Sequence, residues 1–255
     1  MNQKNDYIAV FDSGVGGISV LRHLAKCMPQ ERFLYYGDSA NAPYGTKTAR
    51  QVQDLSLAVA EKLLAQGIKA LVIACNTATA AAVDLLREKY PDMIVVGIEP
   101  AVKLAADRFP SGSVGVMATP LTIDSEKLHK LEDRWGTQCT ITPIPAPGLV
   151  ELIEAGKAVS TESEALLQPL LAPFAGKLDA VVLGCTHYPF AAPVIQKLLG
   201  ENTTLLDGGE GTALQTRRRL EEKDLLRSGE GEIQIQTSSR DPQILQLCRE
   251  LLAIE

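Results

Sequence analysis

Two of the five cysteines have surroundings that packing alone does not require. Cys75 and Cys185 each come directly after an aliphatic run, in LVIACNTATAA (71–81) and AVVLGCTHYPF (180–190). Each is followed by polar residues, Asn76 and Thr77 in the first case, Thr186 and His187 in the second. A core cysteine behaves as a small hydrophobe and has no use for such neighbours. A thiol that must ionise does gain from nearby donors and a helix N-terminus. Strand ends are also where open α/β sheets bind ligands. Cys27, Cys139 and Cys248 lack such surroundings, and Cys27 and Cys248, which fall in helical stripes, read as packing residues. Three uses are open to the pair: a nucleophile with a bystander, a redox couple, or an acid and a base facing one substrate. Their matched placement favours the last, because stereoinversion needs an equivalent proton carrier on each face of the carbon.

Other residues suit the same chemistry. In FDSGVGGISVL (11–21), Asp12 and Ser13 come at a strand tip, ahead of Gly14, Gly16 and Gly17. Such a turn lets the backbone approach a carboxylate closely. The spacing is not the dinucleotide fingerprint and no Walker lysine follows. Asp12 serves equally well on paper as a helix N-cap or as an acid tuning proton transfer. The polar loop YYGDSANAPYGTKT (35–48) offers Asp38, Tyr44 and Gly45, as a solvated turn or as a loop over a pocket. His187, two residues after Cys185, titrates near neutrality and could shuttle a proton or stabilise a thiolate.

Elements that could hold these groups are legible around them. Strands are expected at 7–11, 32–36, 70–74, 93–97, 113–117, 179–184 and 203–206, several of them apolar throughout, as in a parallel sheet buried on both faces. Thr48 and Gln51 can form a capping box, followed by a stripe of Val52, Leu55, Val59 and Leu63 that Gly67 stops. Asp241 and Pro242 can open a last helix. The alternation indicates an α/β fold. The two cysteine segments lie 110 positions apart, which suits two similar lobes, although two ordinary strand ends could also match by accident.

Bulk properties narrow the function classes. The 255 residues carry 31 acids and 25 bases, a net charge of −6, which argues against a nucleic-acid partner. The basic run Arg217–Arg219 has Glu221 and Glu222 beside it and reads as a solvated face. No membrane span or leader is expected. An odd, widely spaced set of cysteines fits free thiols in a cytoplasm better than a disulfide framework, and no metal-ligand spacing is present.

Six motifs in order, DSGVGG (12–17), YYGDS (35–39), PYG (43–45), ACNTA (74–78), GIEPA (97–101) and GCTHYPF (184–190), resemble the glutamate racemase family of the cofactor-independent aspartate/glutamate racemases. LDGGEGTA (206–213) extends the match. The resemblance implies two pseudo-symmetric three-layer α/β lobes with mostly parallel central sheets and the active site between them. The first lobe would comprise 1–98 plus 208–255, the second 99–207. It implies that Cys75 works on D-glutamate, assisted by Asp12, and Cys185 on L-glutamate, assisted by His187. Ser13, Asp38, Tyr44, Gly45, Asn76, Thr77, Thr119, Glu151 and Thr186 would bind substrate, Glu151 being the weaker match. No metal or cofactor is implied, and a homodimer is compatible with the resemblance. D-Glutamate for peptidoglycan, made in a bacterial cytoplasm, would be the output. Aspartate racemases typically carry Glu where His187 stands, so His187 favours glutamate. The sequence departs from the common pattern at Ala118 and Ala146. A cysteine hydrolase, with a trapped acyl-thiol, and a glutamate-binding module without turnover are the rival readings.

Overall fold

Short β-branched and aliphatic runs bury both faces of a strand, and the amphipathic stretches between them supply the covering helices. In the computed structural model, which describes residues 3–254, the chain runs β1 (Tyr7–Asp12), α1 (Ile18–Cys27), β2 (Arg32–Gly37), α2 (Ala49–Leu64), β3 (Ile68–Ile73), α3 (Asn76–Lys89) and β4 (Ile94–Gly97). It continues through α4 (Val102–Arg108), β5 (Ser113–Ala118), α5 (Pro120–Ile123), α6 (Glu126–Trp135), β6 (Thr140–Pro145), α7 (Leu149–Glu154), α8 (Thr161–Leu171), β7 (Ala180–Leu183), α9 (Ala192–Leu199) and β8 (Thr204–Asp207). It ends with α10 (Gly209–Glu222), β9 (Glu232–Thr237) and α11 (Pro242–Ala253).

The chain divides into two compact units. One takes the residues up to Ile98 and those from Gly209 onward; the other is Glu99–Gly208. The first holds a five-stranded sheet ordered β4-β3-β1-β2-β9, the second a four-stranded sheet ordered β6-β5-β7-β8. Every pairing in both is parallel. The sheets are therefore wholly parallel rather than mostly so.

The two sheets repeat one design. Order 4-3-1-2 in the first unit becomes 8-7-5-6 in the second, so β1 to β4 correspond to β5 to β8. Backbone bonds extend the correspondence past the strand tips. Ala74 N–H donates to the Phe11 carbonyl (2.8 Å) and Gly184 N–H to that of Met117 (2.7 Å). Asp38 N–H donates to the Asp12 carbonyl (2.9 Å) and Ala146 N–H to that of Ala118 (3.2 Å). By this register Cys75 matches Cys185, Asp12 matches Ala118, Ser13 matches Thr119 and Asp38 matches Ala146. The residues 118 and 146 that depart from the common pattern are thus backbone-bonded neighbours, and that bond asks nothing of their side chains.

Cores follow the sheets. In the first unit the buried interior includes Ile8, Val10, Phe11, Leu34, Leu71 and Ile73, with α1 packed on α10 and α11, and α2 on α3. In the second, Val102, Ala105, Val114, Val116, Leu128, Ala180 and Val182 form one cluster that also takes in Cys139. Cys248 is buried in α11, in keeping with a packing role. Arg217 and Arg218 pair with Glu221 and Glu222 along α10, as a solvated face should. Among the described residues no helix is long and apolar enough to cross a membrane.

Candidate active site

The first candidate centre gathers at the carboxyl ends of β1, β2 and β3. Cys75 caps α3: its Sγ accepts from the Ala78 amide at 3.4 Å, so the thiol sits on a 14-residue helix N-terminus that favours negative charge. The same sulfur lies 3.5 Å from Ser13 Oγ. Asp12, wholly buried, ends β1 and accepts the Gly14 N–H through Oδ1 at 3.0 Å. Glycine is needed close by: a Cβ on Gly17 would come 2.5 Å from Asp12 Cβ and 3.1 Å from Ala74 Cβ. Asn76 and Thr77 open α3 beside the thiol and are buried. The Asn76 side-chain oxygen is enclosed without a protein partner. A buried amide oxygen in that state suits an incoming donor such as an ammonium group.

Asp38 and Tyr44 form a second tier in this centre. The Tyr44 hydroxyl donates to Asp38 Oδ2 at 2.6 Å, and Asn41 Nδ2 lies 3.1 Å from both Asp38 oxygens. Burial, then the hydrogen bond and charge of Asp38, then the nearby Cys75 and Asp12, push the Tyr44 phenol far above its ordinary value. Tyr44 therefore keeps its proton. Asp38 is occupied by these partners, and Gly45 lies in the same turn as Tyr44.

The second candidate centre is at the carboxyl ends of β5 and β7. Cys185 is 7% exposed, and its Sγ lies 3.7 Å from Nδ1 of the buried His187. His187 Nε2 lies 2.6 Å from Oε1 of Glu154, the last residue of α7. Burial alone would lower the imidazole pKa, but the bonds and charges of Cys185 and Glu154 outweigh it and raise His187 well above its ordinary value. Thr186 is buried beside the thiol. Thr119 caps α5 and accepts the Thr122 N–H at 3.3 Å. Tyr188, buried next in sequence, donates to the Ala146 carbonyl at 3.1 Å.

Sequence reasoning missed Glu154, and named Glu151, three residues earlier, among the substrate-binding residues. Glu151 is exposed on α7, one turn before the residue that meets His187. The signal was present in the helix pattern. Val150 and Ile153 are buried, and Glu154, four residues after Val150, borders that stripe, whereas Glu151 points away from it. The two units also differ in the ionisable groups near each cysteine. In the first unit a buried carboxyl, Asp12, ends β1; the matching position in the second is Ala118, and there His187 lies beside the sulfur and meets Glu154.

Comparison with known proteins yields a consistent picture. A family model described as Asp/Glu/Hydantoin racemase matches residues 17–216. A glutamate racemase of Clostridium perfringens strain SM101 is 46% identical over 255 residues, covering 99% of this chain and 98% of that protein. The crystal structure of glutamate racemase from Francisella tularensis in complex with D-glutamate superposes with a TM-score of 0.85 at 29% identity, covering 99% of this chain and 95% of that one. That from Escherichia coli, in complex with L-glutamate and the activator UDP-MurNAc-ala, gives 0.85 at 32% identity, covering 96% and 95%.

Proposed function

The chain belongs to the glutamate racemases, within the Asp/Glu racemases, and from that premise we propose that it interconverts L- and D-glutamate by proton transfer between two thiols. One observation carries the two-thiol reading. Cys75 and Cys185 occupy the same place in a repeated strand order, directly after β3 and β7 and their single linking residues Ala74 and Gly184.

The thiolate of Cys75 takes the Cα proton of D-glutamate, leaving its electron pair delocalised into the substrate carboxylate as an enediolate. The thiol of Cys185 then delivers a proton to the opposite face, giving L-glutamate, Cys75 thiol and Cys185 thiolate. The reverse direction exchanges the roles. The Cα proton is very weakly acidic, so fixed donors must stabilise the enediolate. Ser13, Tyr44, Gly45, Asn76, Thr77, Thr119 and Thr186 are the groups available to hold the substrate carboxylates and amine. The helix terminus and the Ala78 amide support the Cys75 thiolate, and Asp12 assists its proton traffic. His187, whose charged form Cys185 and Glu154 favour, supports the Cys185 thiolate. Asp38 serves by holding Tyr44, and Glu151, whose charge acts on the buried Tyr188, is the weaker candidate for substrate binding. D-Glutamate made in this way would serve peptidoglycan synthesis in a bacterial cytoplasm.

Cys75→Ser and Cys185→Ser are each expected to cut interconversion by at least about 10³-fold, since a hydroxyl is a far weaker base and acid at neutral pH. Circular dichroism of each enantiomer in buffer measures it. Full racemisation with either thiol absent defeats the two-thiol mechanism. Wild-type turnover in D₂O should place deuterium at Cα, which neither a hydrolase nor a binding module would do.

A further inference from the structure

Tyr35 lies in the YYGDS motif, and the proton-transfer scheme leaves it without a task. It sits on β2 with no exposed surface, and its hydroxyl donates to the Gly14 carbonyl at 2.6 Å. Gly14 is the residue whose N–H binds the Asp12 carboxyl. A glycine is the freest residue in the chain, and here both of its backbone polar groups are engaged, one on Asp12 and one on Tyr35. Ser13, whose hydroxyl meets the Cys75 sulfur, lies between the two anchored residues. Two residues on from Tyr35, Gly37 closes the same carbonyl from β2: a Cβ there would collide with the Gly14 oxygen.

We infer that Tyr35 is a positioning residue for the Cys75 half of the reaction, locking Gly14 so that Asp12 and Ser13 are held in register with the thiol. The second unit supplies an internal control. The strand register pairs Tyr35 with Val10 and, at the corresponding place, Pro143 with Val116. Pro143 has no hydroxyl, and Ala118, in the place of Asp12, has no carboxyl to hold. The clamp occurs in the unit whose acid lies on the first strand tip.

The inference rests on the two-thiol reading and predicts an effect on one thiol only. In Tyr35→Phe the barrier beside Cys75 rises, so kcat should fall about tenfold, close to the loss of one well-placed buried hydrogen bond. The isotope effect on kcat/KM for Cα-deuterated D-glutamate should increase, because Cys75 removes that deuterium in a step now more rate-limiting. For Cα-deuterated L-glutamate it should decrease. A residue with only a structural role would move neither effect, or both alike, and either result overturns the inference. The loss in Tyr35→Phe should also shrink on an Asp12→Asn background; losses that multiply show that Tyr35 does not act through Asp12. Should Tyr35→Phe not fold, Gly37→Ala crowds the same carbonyl and carries the same prediction and the same refutation. Cys75→Ser separates the two levels. If it stays fully active the two-thiol reading fails; if it is dead while Tyr35→Phe leaves both isotope effects unchanged, only the role of Tyr35 fails.

Discussion

At the scale of residues, the two cysteines reach similar ends by different electrostatics. Cys75 has a helix terminus, a backbone amide and a serine around it, with the buried Asp12 carboxyl next to that serine in sequence. Cys185 relies on an imidazole raised above its ordinary pKa despite burial, because Cys185 and Glu154 hold its charged form. A group with a raised folded pKa stabilises the fold fully below its unfolded value, about 6.5 for histidine, and loses that contribution as pH rises through the folded value. Glu154→Gln removes one of the two groups that hold the charge. The His187 pKa should fall, and the alkaline limb of the kcat profile should move to lower pH. The loss of thermal stability between neutral and alkaline pH should also shrink. Rate and melting profiles across pH 5–10 test this; an unshifted alkaline limb removes Glu154 from the His187 charge balance.

At the scale of elements, most of the positioning was legible because it is local. Thr48 accepts the Gln51 N–H at 3.3 Å while Gln51 Oε1 accepts the Thr48 N–H at 2.9 Å, the box that the two residue types promise. Thr48→Ala should cost about 1 kcal/mol in denaturant unfolding and leave kcat unchanged, since the cap touches no site residue. Asp241 caps α11 with Pro242 at its first position, again as its sequence implies. Two strands escape such reading for identifiable reasons. β6 reads TITPIP, and two prolines argue against a strand except at an edge, which is where it lies. β9 reads EIQIQT, polar at alternate positions, and is also an edge strand whose place depends on pairing with β2 some 200 residues earlier in the chain.

At the scale of the whole molecule, the chain must leave its first unit after Ile98 and return at Gly209. Part of what fastens the returning segment is a buried ion pair. Lys69, on β3, donates to Glu31 Oε2 at 2.6 Å and to the carbonyls of Lys4 and Leu225 at 2.9 Å each. Glu31 Oε1 accepts the Arg227 N–H at 2.8 Å. Burial lowers the Lys69 pKa, and Glu31 opposes that shift. Lys69→Met strands the Glu31 charge in the interior and should destabilise the protein by about 3–5 kcal/mol, read by thermal or urea unfolding. A loss under 1 kcal/mol would show that the pair does not fasten the segment.

By itself, the sequence determined the α/β class, seven of the nine strands among the described residues, the two helices capped by Thr48 and Asp241, and the pair of cysteines with their polar followers. Each of these is written in neighbouring residues, as periodicity, capping chemistry or an unbroken motif. Only the tertiary structure decided that Glu154 meets His187, that Asp38 is taken up by Tyr44, and that Tyr35 grips Gly14. It also exposed the matching strand orders that make Cys75 and Cys185 equivalent. The pairs Glu154–His187 and Tyr35–Gly14 stand 33 and 21 residues apart. Which groups meet over such separations is set by strand order and helix rotation, and neither is encoded in any short stretch of chain.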